Sequence, residues 1–339
     1  MKAVAPRFVS FVTVAIPVLN EQAHIGACLA SLLPQLDPCR CEVLVLDGGS
    51  SDETTAIVSA MSCHYPFVRL VSNPGRLQSA ACNLAARLAD PRARVLLRAD
   101  AHAFYPPNFV ALCLAALDSS GATSVVVPML TVGATGFQRA VAATQNSNLG
   151  NGGSIHRAGG VSAFVDHGHH AVFNLDFFRR IGGYDEGFSH NEDAEFDLRG
   201  GRAGARVWMC REAVMHYVPR KTATALARQY FGHGAGRART LVRHACWPRP
   251  RQMLPVAVLT SILLSMPAAL ISPLTLLVPI VYAVCCCSWG AAIALRKSDT
   301  WLLAMGPAAM IIHLAWATGF MRQILIRPRP ASDALQEPA

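Results

Sequence analysis

The chain has 339 residues, enough for one large domain or two smaller ones, so core size is no limitation. Only 15% of residues are charged while 52% are apolar, and the excess lies near the C-terminus, which excludes an ordinary soluble protein throughout. The net charge of +9 comes mostly from an arginine cluster and a C-terminal tail beside apolar runs, a placement that suits anionic lipid; no base-reading motif points to nucleic acid.

Lys2 and Arg7 before residues 8–16 superficially resemble a secretory leader. The run is short, is broken by Ser10 and Thr13, and ends in Pro17 without a small-residue cleavage pattern, so it reads as a first strand. Residues 11–16, 43–46, 68–71, 95–97 and 124–127 read as strands, and 21–33, 52–62, 77–88 and 108–117 carry helical periodicity. Strand and helix alternate, which predicts an α/β, doubly wound, mostly parallel sheet.

Val43-Leu44-Val45-Leu46 has no polar alternation, the habit of a strand buried on both faces, and Asp47 ends it. Open α/β sheets bind ligands beyond the carboxyl ends of their strands. Gly48 and Gly49 permit close approach to a ligand, and Ser51 or Asp52 can cap the next helix; the plainer alternative is an ordinary capped turn. At the end of the fourth strand, Asp100 and His102 in Arg98-Ala99-Asp100-Ala101-His102 could both face a ligand. Mg²⁺ or Mn²⁺ bound to a diphosphate needs only one or two protein ligands, although a surface turn with a capping acid has the same look.

From about residue 146 the pattern dissolves into a glycine-rich stretch and Asp166-His167-Gly168-His169-His170, which reads as a long mobile loop. Its glycines leave no fixed face for ligands, so no metal is expected there. Asn191-Glu192-Asp193 then opens a helix through about Arg202, where successive side chains point about 100° apart and only one acid can aim into a site. The helix dipole alone favours acids in a first turn, but a second carboxylate centre beyond the loop suits a base acting on an incoming hydroxyl. A basic amphipathic helix from 222 to 239 follows.

No residue from 252 to 295 is charged, enough for two spans of about 20 residues with Ser272-Pro273 between them; 301–321 would make a third. His313 inside it reads as a satisfied interior polar group, and the prolines in these runs are tolerated in membrane helices. Arg237, Arg239, Arg243, Arg249 and Arg251 before the first span, and Arg296 and Lys297 after the second, keep the N-terminal part cytoplasmic by the positive-inside rule. Three full spans would leave Arg322, Arg327 and Arg329 outside, so either one segment does not cross or the tail is an exception. Eleven scattered cysteines suit reduced thiols.

In this order and spacing, Ile16-Pro17-Val18-Leu19-Asn20-Glu21, Asp47-Gly48-Gly49-Ser50-Ser51-Asp52, Arg98-Ala99-Asp100-Ala101-His102, Gly182-Gly183-Tyr184-Asp185-Glu186, Asn191-Glu192-Asp193 and Arg228-Gln229-Tyr230 form a pattern. Over roughly residues 12–239 the chain resembles the family 2 inverting glycosyltransferases with a GT-A fold, in their succinoglycan-biosynthesis ExoA-type branch. The resemblance implies that Pro17, Glu21, Asp47 and Asp52 line a nucleotide-sugar pocket, with Asp47 on the base or ribose. It implies that Asp100 is the metal-binding acid of the family's Asp-x-Asp motif, that His102 shares the metal, and that Asp193 is the catalytic base. Arg98 occupies the first position of that motif, a departure. Gln229, with Arg228 or Arg237, falls where related synthases carry Gln-x-x-Arg-Trp, which is not intact here, so a processive polymerase is not expected. Glu192, Arg228, Gln229 and Arg237 are assigned to the acceptor or the membrane surface.

The expectation is a membrane-anchored enzyme moving one sugar from a nucleotide-diphosphate donor to a lipid-linked saccharide, with a divalent metal. It comprises a cytoplasmic GT-A domain (1–240), a membrane domain of two or three helices (252–321) and a polar tail (322–339). A nucleotidyltransferase would need a basic glycine-rich loop near residues 17–21, which is absent. A catalytically silent subunit of a glycan-assembly complex is the other alternative: Arg98 favours it, while Asp100 and Asp193 oppose it.

Overall fold

A computed structural model describes residues 10–153 and 161–326. The first half alternates as expected: β1 (Phe11–Val18), α1 (Ile25–Leu32), β2 (Cys41–Asp47), α2 (Thr54–His64), β3 (Val68–Ser72), α3 (Gln78–Leu88), β4 (Ala93–Arg98), β5 (Ala103–Phe104), α4 (Phe109–Ser120) and β6 (Ser124–Val127). Then come β7 (Met129–Thr131), α5 (Gly136–Gln145), α6 (Asn148–Asn151), β8 (Ala163–Val165), β9 (His169–Asn174), α7 (Leu175–Arg180), α8 (Glu192–Arg202), β10 (Val207–Met209) and β11 (Met215–Tyr217). The chain continues through α9 (Ala223–Arg243) to three apolar helices, α10 (Pro250–Ala268), α11 (Leu277–Lys297) and α12 (Met305–Leu325).

Eight strands form the main sheet in the order β3-β2-β1-β4-β9-β6-β10-β8, and β5-β11-β7 form a small second sheet. The pairs β1–β2, β1–β4, β2–β3 and β6–β10 are parallel, while β9 runs antiparallel between β4 and β6. Burial follows pattern: Val14, Ile16, Val43 and Val45 pack on one face of the sheet, and Ala15, Leu44 and Leu46 on the other. Two fully covered faces explain why β2 reads as a continuous apolar run.

Two expectations need correction. The segment read as a long mobile loop contains α6, β8 and the start of β9, and β9 is a central strand. Its period of two turns His169 and His170 to opposite faces, so these histidines do have fixed directions; residues 154–160 of that segment lie outside the described residues. The first helix begins at Ile25 rather than Glu21. The Glu21 and Gln22 amides are taken by the side chains of Thr54 (2.8 Å) and Asp52 (3.1 Å), which draws the turn away from helix. All eleven cysteines are unpaired.

The apolar helices divide by what covers them. In α10 and α11 large side chains stand in the open, with Leu254 at 66% and Leu295 at 81% exposure, far more apolar surface than water tolerates. Both helices are long and apolar enough to cross a membrane. Their outer ends return to the globular part: Arg249 pairs with Asp166 at 3.1 Å just before α10, and Asp299 pairs with Arg139 just after α11. By length and composition α12 also qualifies, yet 44% of its most apolar window is buried by protein.

That burial runs along its whole length. Thr144 donates to the Met305 carbonyl at 3.3 Å, and His313 donates through Nε2 to the Leu149 carbonyl at 2.7 Å while Tyr282 reaches Nδ1 at 3.0 Å. His313 is thus a satisfied interior polar group. Nearer the C-terminus, Gly234 of α9 meets the Trp316 backbone and Gly319 meets the Phe231 backbone, so closely that a Cβ at either would collide. Small residues at a crossing let two helix backbones touch, and only glycine fits here.

Candidate active site

The carboxyl ends of β1, β2 and β4 meet at one edge, and two turns there brace each other. Asn20 accepts from the Ser51 amide at 2.8 Å, Ser50 Oγ accepts from the Asn20 amide at 2.9 Å, and the Glu53 amide donates to Gln22 at 3.0 Å. Asp47 accepts from the Gly49 and Ser50 amides at 3.1 Å, closing its own turn, and Asp52 accepts from Thr54 and Gln22. These turns hold Pro17, Glu21, Asp47 and Asp52 on one rim, and Asp52 also accepts from the first amide of α2, at Thr54.

Glu21 links this rim to the deeper site through His102, whose Nδ1 lies 3.2 Å from Glu21 Oε1 and whose ring sits edge-on to Tyr217. Beyond it opens a cavity of about 320 Å³ lined by Asp100, His102, His169, Glu192, Asp193 and Gln229, among others. Six residues singled out above or carried by β9 therefore converge from four separate segments. Arg228 is exposed and does not line this cavity, and Arg237 faces neighbouring ones.

Arg98 is the centre of the site. Its side chain is 4% exposed, with Nη1 2.7 Å from Asp193 Oδ1, Nε 3.4 Å from Asp100 Oδ1 and Nη2 3.5 Å from Glu192 Oε1. One planar cation thus serves three carboxylates, the geometry guanidinium suits and ammonium does not. Burial works against its charge, but Asp193 and the other acids outweigh it and hold Arg98 protonated well above the usual range. Burial pushes Asp100 up too, yet Arg98, His169 and His102 hold it down at about 2. Glu192 goes the other way, to about 7, because burial and the adjoining Asp193 disfavour its charge.

Asp193 is oriented by a motif that sequence alone could not decode. Gly183, at φ +65°, lies so close to Asn83 that a Cβ would strike its side chain. Asn83 then grips Tyr184 twice, accepting from its amide and donating to its carbonyl, each at 2.8 Å. The Tyr184 hydroxyl donates to Asp193 Oδ1 at 2.6 Å. With Arg98 on that same oxygen, Oδ1 is saturated, and Oδ2 faces His169 Nδ1 at 3.9 Å across the cavity. His169 also lies 3.5 Å from Asp100; burial, opposed by Asp100, takes its pKa down to about 4, so the ring is neutral near pH 7.

Gln229 donates through Nε2 to the Tyr217 hydroxyl at 2.8 Å, and its Oε1 is buried without a partner. A buried acceptor left unmade is costly unless a ligand supplies the donor. Among the described residues no set of three or more His, Cys, Asp and Glu side chains forms a metal cage. Asp100 and His102 on one cavity instead fit a hard cation that takes its remaining ligands from a bound diphosphate.

The Glycosyl transferase family 2 model matches residues 13–182, and the chain is 43% identical over 312 residues to the succinoglycan biosynthesis protein ExoA of Rhizobium meliloti (strain 1021), covering 92% of this chain and 94% of that one. The chain belongs to glycosyltransferase family 2. Among solved structures it resembles the mannosyltransferase PcManGT from Pyrobaculum calidifontis in complex with GDP-Man and Mn²⁺. That likeness has a TM-score of 0.60 and 18% identity, over 94% of this chain and 88% of the other. The fold is GT-A, and the protein is a glycosyltransferase with C-terminal apolar helices that could span a membrane.

Proposed function

We propose that this glycosyltransferase moves a single sugar from a nucleotide-diphosphate sugar to a lipid-linked saccharide, with inversion, in exopolysaccharide synthesis of the succinoglycan type. The observation that carries the reading is the half-tethered carboxylate: Asp193 Oδ1 is fixed by Arg98 and Tyr184 while Oδ2 fronts the cavity opposite Asp100. A general base needs that arrangement, one oxygen held and one free to take a proton.

The donor's nucleoside lies along the rim of Pro17, Glu21, Asp47 and Asp52, which brings its diphosphate to Asp100 and His102. Asp100 and His102 would hold a divalent metal, Mg²⁺ or Mn²⁺, which would neutralise charge on the leaving group. Similar folds that carry Mn²⁺ with their nucleotides support that part. The acceptor hydroxyl gives its proton to Asp193 Oδ2 as its oxygen bonds the anomeric carbon. The bond from that carbon to the diphosphate breaks, and its electron pair leaves with the nucleoside diphosphate. Gln229 Oε1 receives a hydroxyl of the acceptor sugar, and Glu192 backs Arg98.

The membrane arrangement belongs to the same reading. α10 and α11 form a two-span hairpin with both outer ends at the catalytic domain, and α12 lies along that domain beside α9 at the cytoplasmic surface of a bacterial-type inner membrane. Trp247, 93% exposed just before α10, suits the interface. This placement keeps Arg322 on the same side as Arg296 and Lys297, in accord with the positive-inside rule.

The test uses detergent-purified full-length protein with Mn²⁺, a panel of nucleotide sugars and bacterial lipid extract, read as nucleoside diphosphate release and as a labelled lipid product. One donor should give product, and Asp193→Asn should lower the rate at least 10³-fold. Nucleotide binding without turnover for any donor would instead favour the catalytically silent subunit.

A further inference from the structure

Three arginines stand together outside the catalytic cavity. Arg237 on the middle of α9, and Arg249 and Arg251 at the start of α10, line one recess of about 460 Å³. Its two acids are already engaged: Asp166, exposed, pairs with Arg249, while buried Asp197 takes His170 at 2.7 Å and His167 at 3.6 Å. Among the described residues Arg237 has no ion pair or hydrogen bond. Burial pushes its pKa below the usual arginine range, Arg249 and Arg251 push it further down, and Asp197 opposes them only in part. A half-buried cation facing two like charges is the electrostatic signature of a missing anion.

What lies beside the recess names the anion's carrier. Arg237 and Arg251 also line a second cavity of about 370 Å³, whose wall includes Leu254 and Pro255 of α10 and Ile312 and Trp316 of α12. That cavity reaches Asn191, the residue that opens α8 two places before Asp193. Along one path, then, stand an apolar groove on the membrane helices, a cluster of guanidinium groups and the catalytic carboxylate. Guanidinium forks match phosphate oxygens bidentately, and an apolar groove takes a hydrocarbon chain.

We propose that Arg237, Arg249 and Arg251 form a subsite for the phosphate or diphosphate end of a membrane lipid, with its chain against α10 and α12 and its head directed towards Asp193. As the anchor of the acceptor, the subsite rests on the lipid-linked reading above; as a lipid-phosphate site it needs only the geometry.

The probe is labelled farnesyl diphosphate, bound to the full-length protein in phosphatidylcholine nanodiscs at about 0.15 M salt, where surface charges are screened beyond ~8 Å. Binding should saturate, with farnesol and inorganic diphosphate competing at least tenfold less well than the intact probe. Arg237→Gln with Arg251→Gln should weaken binding tenfold or more, while Arg296→Gln, a charge removed elsewhere on the same side, should leave it unchanged. Arg249→Gln with Arg251→Gln, both at exposed positions, preserves the test should the first pair fail to fold. Unaltered binding in the folded variants overturns the subsite, and inorganic diphosphate competing as well as the probe overturns the lipid as its source. Probe binding that persists in a protein with no sugar transfer for any donor would sustain the subsite and sink the proposed reaction.

Discussion

Replacing Arg98 with methionine keeps much of the side-chain volume and removes the one cation among Asp100, Glu192 and Asp193. The guanidinium is 4% exposed and lies within 3.5 Å of all three acids, so nothing from solvent replaces it. Removing one partner of a buried ion pair costs about 3–5 kcal/mol, because the charges left behind stay desolvated. At roughly 2–4 °C per kcal/mol for a domain of this size, the unfolding midpoint near pH 7.5 should fall by roughly 6–20 °C. The loss should depend on pH in a definite direction. Without Arg98, Asp100 loses the main cation that opposes its burial and Glu192 is raised further, so the folded state holds more protons than the unfolded one and stability decreases as pH rises. Between pH 7.5 and pH 5.5 the variant should therefore recover relative to wild type, by up to about 1.4 kcal/mol per pH unit for each proton taken up. Thermal unfolding in detergent at the two pH values, followed by intrinsic fluorescence, measures both effects. A drop under about 2 °C, or one of equal size at both pH values, would refute the view that Arg98 holds three carboxylates together.

Other perturbations address separate parts of the molecule. His170 is raised above its ordinary value because buried Asp197, 2.7 Å away, outweighs desolvation, so its contribution is full below about pH 6.5 and is lost as pH rises through the folded value. Wild type should accordingly lose stability on the alkaline side of pH 6.5, and His170→Gln should be less stable at pH 6 and lack that slope; chemical unfolding across the range reads it. Gln229→Leu removes the unpartnered Oε1 and should raise the acceptor KM roughly tenfold, equivalent to about 1.4 kcal/mol, with a smaller change in kcat, as steady-state kinetics would show. Gly319→Leu cannot be accommodated against the Phe231 backbone, so α12 should separate from α9 and become sensitive to protease in nanodiscs, whereas wild type resists. A cysteine at Arg322 in a cysteine-depleted chain should react with an impermeant maleimide only in inside-out vesicles; labelling in right-side-out vesicles would mean that α12 crosses.

The parts legible in the sequence are those whose signals are local. The apolar run ending at Asp47 has its cause in two covered sheet faces, and the parallel half of the sheet follows from simple alternation of strand and helix. The termini of α8 and α9 could be read from Asn191 and Thr222, and the hairpin of α10 and α11 from an unbroken absence of charge. β9 was invisible for an equally physical reason. It begins with two histidines that answer to different partners, Asp100 and Asp193 for one and Asp197 for the other, so polarity hides a strand whose pairing lies in β4 and β6. Nothing local could show that Tyr184 reaches Asp193, since the connection runs through Asn83 and a glycine that tolerates its approach. The coverage of α12 was equally hidden, because hydropathy counts how apolar a helix is and not whether lipid or protein meets it.

Arg98 looked like a fault when read as a residue in a motif, and the structure gives it a different meaning. A second carboxylate at that position would join Asp100, Glu192 and Asp193 in one buried space, where each added like charge raises the cost of keeping any of them ionised. The cation instead settles the charge inside the cavity, leaving Asp100 ionised and Asp193 held by one oxygen. Of the three arginines of the neighbouring recess, Arg249 pairs with Asp166, while Arg237 and Arg251 have no ion pair among the described residues. A negatively charged group arriving through the catalytic cavity meets a site already rich in acids, while one arriving along α10 meets a cluster of arginines first. On the proposed reading the distribution of charge separates two routes, one for a donor whose diphosphate comes with its own cation and one for an acceptor that brings its phosphate from the membrane side.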